Sequence, residues 1–310
     1  MHTRFEALWV PGAGEDAASA GTTAGEAECR ALAERIEVEV RRLEAVFNRH
    51  DPASPVAALN RCRSASGTGA SGVADDDLWF LLEIGEQFRK ATFGYFDLAA
   101  LSNREALLQA TLMNAAEAPF RLLHATHEIE LRRGCILDFG GIAKGYALEK
   151  VRNILQAAGV ENALLNFGDS SVLGMGHHPL GPCWEVAPEG PPPSAPSLNT
   201  PQFRDGSPEN AAPSLNTPSF RDGTPVFRLR DSAISVSGRD REEREHIVDP
   251  HTGRPATTST SRPAPQTARI AVTGRSALVC EILSTALYAA PKELQNEIIA
   301  NFEGYTTLAH

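Results

Sequence analysis

The chain has 310 residues, 42% of them hydrophobic and 22% charged, with a formal net charge of −10, so it can bury a core as one large or two medium domains. The acidic balance excludes the basic footprint of non-specific nucleic-acid binding, and no apolar stretch reaches the length of a membrane span. Residues 1–7 lack the apolar core of a secretory signal or a lipobox, and the five cysteines form no CxxC pair, which reads as a cytoplasmic protein with reduced thiols.

Residues 1–25 read as a short strand and a small-residue loop. From Glu28 the period changes: Leu32, Ile36, Val40, Leu43 and Phe47 make one apolar face of a long helix. Pro52 and Pro55 break the helix in the polar segment that follows. Asp75-Asp76-Asp77 supplies a cap and first-turn charge to a second helix, which Gly94 ends. Residues 125–138 read as paired strands, with Cys135-Ile136-Leu137 short and buried. A third helix begins near Ile142. Further strands are expected at 162–176, 183–187 and 268–272, and helices at 276–290 and 292–301. This alternation predicts an α/β, or mixed α+β, class. One segment stands apart: residues 196–208 recur as 213–225 with only Gln202/Ser219 and Ser207/Thr224 exchanged. A proline-rich duplication this short does not build a solenoid and reads as a surface insertion at about 189–226.

Three stretches carry chemistry. In Leu137-Asp138-Phe139-Gly140-Gly141-Ile142-Ala143-Lys144-Gly145-Tyr146 a strand ends at an aspartate, two glycines open the backbone, and a helix starts with a lysine in its first turn. Free amides and the macrodipole at such a terminus attract phosphate. The alternative is a glycine-rich turn with a surface lysine, and the segment alone leaves both open. The second stretch is Ala233-Ile-Ser-Val-Ser-Gly238 followed by His246-Ile-Val-Asp249-Pro250-His251-Thr252-Gly253. Its Asp-Pro-x-Thr-Gly is a tight turn, and His246 is either a general base or a packed histidine. In the third, Glu281 and Thr285 lie four apart, so a carboxylate and a hydroxyl share a helix face and could meet one hard cation. His177-His178 near Cys183 do not suggest a metal site, because adjacent strand residues point to opposite faces.

In this order the three stretches resemble the FAD:protein FMN transferases, the ApbE-like flavin transferases. Gly94-Tyr95-Phe96-Asp97 is similar to the family's G-x-F-D, and Ser54 through Leu59-Asn60 to its S-E-[IL]-x-x-[LF]-N. Asn166-Phe167-Gly168 and Trp184-Glu185-Val186 resemble its N-[LF]-G-G and W-x-V strands. The resemblance implies a single domain over residues 1–310 with a T-fold-type architecture, helices packed on mixed sheets, and FAD bound with Mg²⁺ at its pyrophosphate. It implies transfer of FMN to a threonine or serine hydroxyl of an acceptor protein with release of AMP. A FAD pyrophosphatase and a non-catalytic flavin-binding protein are the alternatives. Carried over, His50, Tyr95, Phe96, Asp97, Asp138, Lys144 and Val248 would contact FAD. Gly141 through its carbonyl, Glu281 and Thr285, with Ser284 nearby, would hold the metal, and His246 would sit at the phosphoryl centre. The family has aspartate where Glu281 stands, tyrosine where His50 stands and glycine where Asp169 stands.

Overall fold

A computed structural model of the chain describes residues 3–10, 23–61, 68–72, 75–102, 119–132, 134–187, 218–221, 224–238, 247–256 and 269–309. Its centre is a six-stranded sheet in the order β1 (Phe5–Val10), β5 (Asn162–Phe167), β6 (Ser171–Met175), β10 (Ser232–Ser237), β13 (Ile270–Gly274), β14 (Thr306–Ala309). The helices lie against sheets as expected, and every pairing among the described strands is antiparallel. Hairpins join β5 to β6, and β10 enters between β6 and β13, so no parallel crossover is needed.

β6, β10 and β13 are buried along their whole length because both faces of the sheet are covered. One face packs on α4 (Ala143–Ala157) and α5 (Ala277–Ala289), which cross each other and carry the main core with Leu148, Val151, Leu165, Val272 and Leu283. The other face packs under a small sheet ordered β7 (Trp184–Val186), β9 (Thr224–Leu229), β8 (Ser219–Arg221). There Val172, Ile234 and Val236 meet Trp184, Val186, Phe227 and Leu229. β8 and the start of β9 fall inside the C-terminal copy of the repeat. Residues 188–217 lie outside the described residues.

The expected long helix is α1 (Thr23–Phe47), with Leu32, Ile36, Leu43, Val46 and Phe47 buried. Pro55 starts a helix as well as separating one: it is the first residue of α2 (Pro55–Arg61), where a missing N–H costs nothing, and the Ser54 Oγ accepts from Ala57 N at 3.0 Å as the cap. α3 (Asp76–Ala91) is capped by Asp75, whose Oδ1 accepts from Leu78 N at 2.8 Å. A second three-stranded sheet, β2 (Thr68–Gly72), β4 (Glu128–Arg132), β3 (Phe120–Leu123), flanks α3, and α6 (Lys292–Ala300) leads into β14.

At the junction of α1, α3 and α4, Asp77 accepts from the Tyr146 hydroxyl and pairs with Arg42 and, at 3.0 Å, with Lys150. Burial opposes ionisation of Asp77, but the hydrogen bonds from Tyr146, Arg42 and Lys150 outweigh it and hold the carboxyl below the usual range. The hydrogen bond from Arg42 is the main cause of the same lowering at Glu39.

Candidate active site

The site is built around the turn at residues 136–145. The expected strand Cys135–Leu137 joins no sheet, because its backbone groups are taken by side chains and a loop. Ile136 N donates to the Ser102 Oγ at 2.8 Å and Asp138 N to the Leu98 carbonyl at 2.8 Å. Asn60 brackets the peptide between them: its Oδ1 accepts from Leu137 N at 2.8 Å and its Nδ2 donates to Leu137 O at 2.9 Å. Asp138 emerges from this clamp with its carboxylate half-exposed. Gly140 N donates to Oδ1 at 2.9 Å, and Arg49 Nε lies 3.3 Å from Oδ2.

The first turn of α4 then faces α5. Ile142 provides no side-chain cap, and the carboxylate of Glu281 takes that role from across the interface, accepting from Gly145 N with one oxygen and from Lys144 Nζ with the other. Glu281 is only 2% exposed, so this pairing compensates a charge that would otherwise be costly to bury. The arrangement is reciprocal, since Glu149 of α4 accepts from Ala277 N at 2.7 Å and from Ser276 Oγ at 2.9 Å at the start of α5. Only glycine fits where the helices cross: a Cβ on Gly145 would lie 2.4 Å from the Ala277 carbonyl oxygen. Gly145 N is given to Glu281, and Gly141 lies just ahead of the first residue of α4. Thr285, one turn after Glu281, lies against Gly141, with its Oγ1 3.2 Å from where a Cβ on that glycine would be.

A third wall comes from the loop after α3 and the hairpin of β11 (Val248–Asp249) and β12 (Arg254–Pro255). The hairpin turn is the expected one: Asp249 accepts from His251 N at 2.8 Å and from the Thr252 hydroxyl at 2.9 Å. His251 pins this turn to the loop, its Nε2 lying 3.0 Å from the Phe93 carbonyl and its ring 4.4 Å from that of Tyr95. Phe93 and Gly94 both have positive φ, 53° and 81°, so the chain doubles back there and leaves the Phe93 ring exposed. Burial, with Asp249 adding to it, raises the Tyr95 phenol above its ordinary value. Asp97 is turned inward: its carboxylate accepts from Ala99 N at 2.8 Å and from Arg89 Nε at 3.2 Å. Burial raises its pKa against the opposing effect of these partners.

The sequence matches the ApbE family over residues 1–308. The chain belongs to the ApbE family. It is 25% identical to the FAD:protein FMN transferase of Treponema pallidum (strain Nichols), across 91% of this chain and 77% of that one. Its fold superposes on the flavinyl transferase ApbE of Pseudomonas stutzeri with a TM-score of 0.64 at 18% identity, covering 99% of this chain and 94% of that one. For the ApbE protein of Thermotoga maritima the TM-score is 0.63 at 21% identity, with 90% and 86% covered.

In this ApbE-family chain, Gly141, Lys144, Glu281 and Thr285 come together at the α4–α5 crossing, and Asp138 precedes them on the turn, paired with Arg49. Tyr95 faces the hairpin turn, and Val248, half-buried, begins that hairpin. His50 is exposed on the turn after α1, next to the Arg49 that meets Asp138. Phe96 is 3% exposed and packs in the core, so its side chain supports the loop from beneath. Ser284 is fully buried and points to β10, not to the Gly141 turn, because it lies about 100° round the helix from Thr285. His246 lies outside the described residues. Arg49 was not singled out by sequence, and His251 and Ser237 entered only as members of quoted stretches with no role of their own. Nothing in the spacing indicates their contacts with Asp138, Tyr95 or Thr285.

For a divalent cation the donor chemistry fits. Among the described residues no three His, Cys, Asp or Glu side chains cluster as a metal site. The Glu281 carboxylate, the Thr285 hydroxyl and the Gly141 carbonyl are hard donors of the kind Mg²⁺ takes, and each Glu281 oxygen already accepts one hydrogen bond, from Lys144 Nζ or Gly145 N, so a cation would share it. One carboxylate is enough where ligand phosphates and water complete the shell.

Proposed function

We propose that this chain transfers the FMN moiety of FAD, in a Mg²⁺-dependent reaction, to a threonine or serine hydroxyl of an acceptor protein, releasing AMP. The observation that carries this reading is the junction of the Asp138–Lys144 turn with Glu281 and Thr285, in a chain of the ApbE family. The coarser reading, flavin transfer as a class, rests on the curated relative and on the fold.

In this reading the pyrophosphate of FAD lies over Gly140 and Gly141, where the absence of side chains lets it approach the start of α4, and Lys144 supplies a point charge. Asp138 accepts hydrogen bonds from the sugar or base, its carboxylate steadied by Arg49. Tyr95 and Val248 line the flavin, with His50 at the rim, and the inward contacts of Phe96 and Asp97 keep the Tyr95 loop in place. Gly141, Glu281 and Thr285 would hold Mg²⁺, which when bound neutralises charge on the bridging phosphates. His246 accepts the proton of the acceptor hydroxyl, whose oxygen bonds to the FMN-side phosphorus as the bridging P–O bond breaks and AMP departs with the electron pair.

Chromatography of FAD incubated with the chain in Mg²⁺ and in EDTA tests the reading. Mg²⁺-dependent appearance of AMP, with flavin fluorescence retained on a denatured acceptor, is expected. AMP with free FMN and no labelled protein would identify a pyrophosphatase instead, and intact FAD would refute both.

A further inference from the structure

Five hydroxyls run from the candidate site into the central sheet. Thr285 Oγ1 lies 3.4 Å from Ser237 Oγ, Ser237 Oγ 2.9 Å from Ser284 Oγ, Ser284 Oγ 3.2 Å from Ser235 Oγ, and Ser235 Oγ 3.4 Å from Ser171 Oγ. Ser171, Ser235, Ser237 and Ser284 are all buried. A run of serines on the apolar interior face of a helix–sheet interface is expensive unless each proton has an acceptor. At one point the direction is set by a group that only accepts: Ser284 Oγ lies 3.1 Å from the carbonyl oxygen of Glu281 in its own helix.

Each hydroxyl has one proton and two lone pairs. Ser284 is the donor toward both the Glu281 carbonyl and the Ser235 Oγ, so its one proton is committed to that side and toward Ser237 it can only accept. Ser237 then donates to Ser284, so toward Thr285 it can only accept. Thr285 must donate to Ser237, and its own lone pairs are left facing away from the sheet, on the side of Gly141. In this assignment Ser284, Ser237 and Thr285 have their protons placed.

We propose that Ser237, through this relay, is a positioning residue that fixes the Thr285 hydroxyl as a lone-pair donor. Thr285 is thereby prepared for a cation and cannot act as a hydrogen-bond donor to a phosphate oxygen. The inference rests on the reading of Glu281, Thr285 and Gly141 as a Mg²⁺ site. It gives a role to the Ser-Val-Ser-Gly stretch at the end of β10, because Ser235 and Ser237, two apart on a strand, face the same helix.

Mn²⁺ alone, added to the full chain and followed through the free-ion electron paramagnetic resonance signal, tests both levels. Wild-type chain binds Mn²⁺ and Thr285→Val weakens that binding, as the site reading requires; if wild type binds none, the site reading fails and the relay with it. Given a working site, Ser237→Ala weakens Mn²⁺ binding by about tenfold or more, the loss typical of an outer-shell partner, whereas Ser237→Thr, which restores a hydroxyl, stays near wild type. Ser171→Ala removes an equally buried hydroxyl at the far end of the relay and leaves Mn²⁺ affinity unchanged. FAD affinity in EDTA is the same in all three serine variants. Wild-type Mn²⁺ affinity in Ser237→Ala, or an equal loss in Ser171→Ala, would overturn the relay while leaving the cation site standing.

Discussion

Asn60→Ala should damage both stability and ligand binding, through the backbone of one residue. Asn60 gives Leu137 two hydrogen bonds, 2.8 Å to its N–H and 2.9 Å from its carbonyl, and Leu137 is fully buried. No neighbouring strand can take over, because residues 135–137 join no sheet. Each buried polar group left without a partner costs about 1–3 kcal/mol, so the variant should lose about 2–6 kcal/mol. Asp138 follows directly, and with the clamp gone its carboxylate is no longer aimed, so FAD should bind more weakly as well. Urea unfolding gives the first quantity and flavin-fluorescence titration the second. Asn60→Asp separates the two bonds, since it keeps an acceptor for Leu137 N but sets an oxygen against Leu137 O, and it should be nearly as damaging. A stability loss below about 1 kcal/mol with unchanged FAD affinity would refute the clamp.

Lys144→Ala should weaken FAD binding by about 1–3 kcal/mol, measured by fluorescence titration; unchanged affinity would remove Lys144 from the phosphate site. Glu281→Gln should abolish Mg²⁺-dependent AMP release while Glu281→Asp preserves it, with full turnover in Glu281→Gln contradicting the metal assignment. Gly145→Ala should lower the melting temperature sharply, because its methyl meets backbone of α5 at 2.4 Å and the helices must separate; a wild-type melting curve would show that the crossing is looser than described. Asp77 and Glu39 are held below their ordinary values, so their contribution to stability is present above that range and is lost as pH falls through the folded values. Asp77→Asn should therefore flatten the acid limb of melting temperature against pH, and an unchanged limb would remove this junction as its source.

Periodicity made the helices legible. Leu32, Ile36, Leu43 and Phe47 all turn inward, and Asp75 caps α3 as its sequence indicates. Turn chemistry did the same for Asp249, whose side chain closes the tight turn on His251 N and takes the Thr252 hydroxyl besides. Contacts between elements distant in the chain were not legible. Cys135–Leu137 has the composition of a strand, but Asn60, some 77 residues away, takes the hydrogen bonds a ladder would have made. Pro55 reads as a breaker until Ser54 is seen capping the helix it begins. The spacing of Glu281 and Thr285 gave their shared face. That Glu281 caps α4 and pairs with Lys144 depends on how two helices cross at Gly145, which no local pattern records.

The central claim is that this junction breaks the FAD pyrophosphate, and phosphorus-31 nuclear magnetic resonance of FAD turning over on the chain in Mg²⁺ tests it most directly. The account predicts that the two pyrophosphate resonances decay together, that AMP appears in step with them, and that Glu281→Gln halts the change. Persistent pyrophosphate resonances with FAD demonstrably bound to wild-type chain would contradict it.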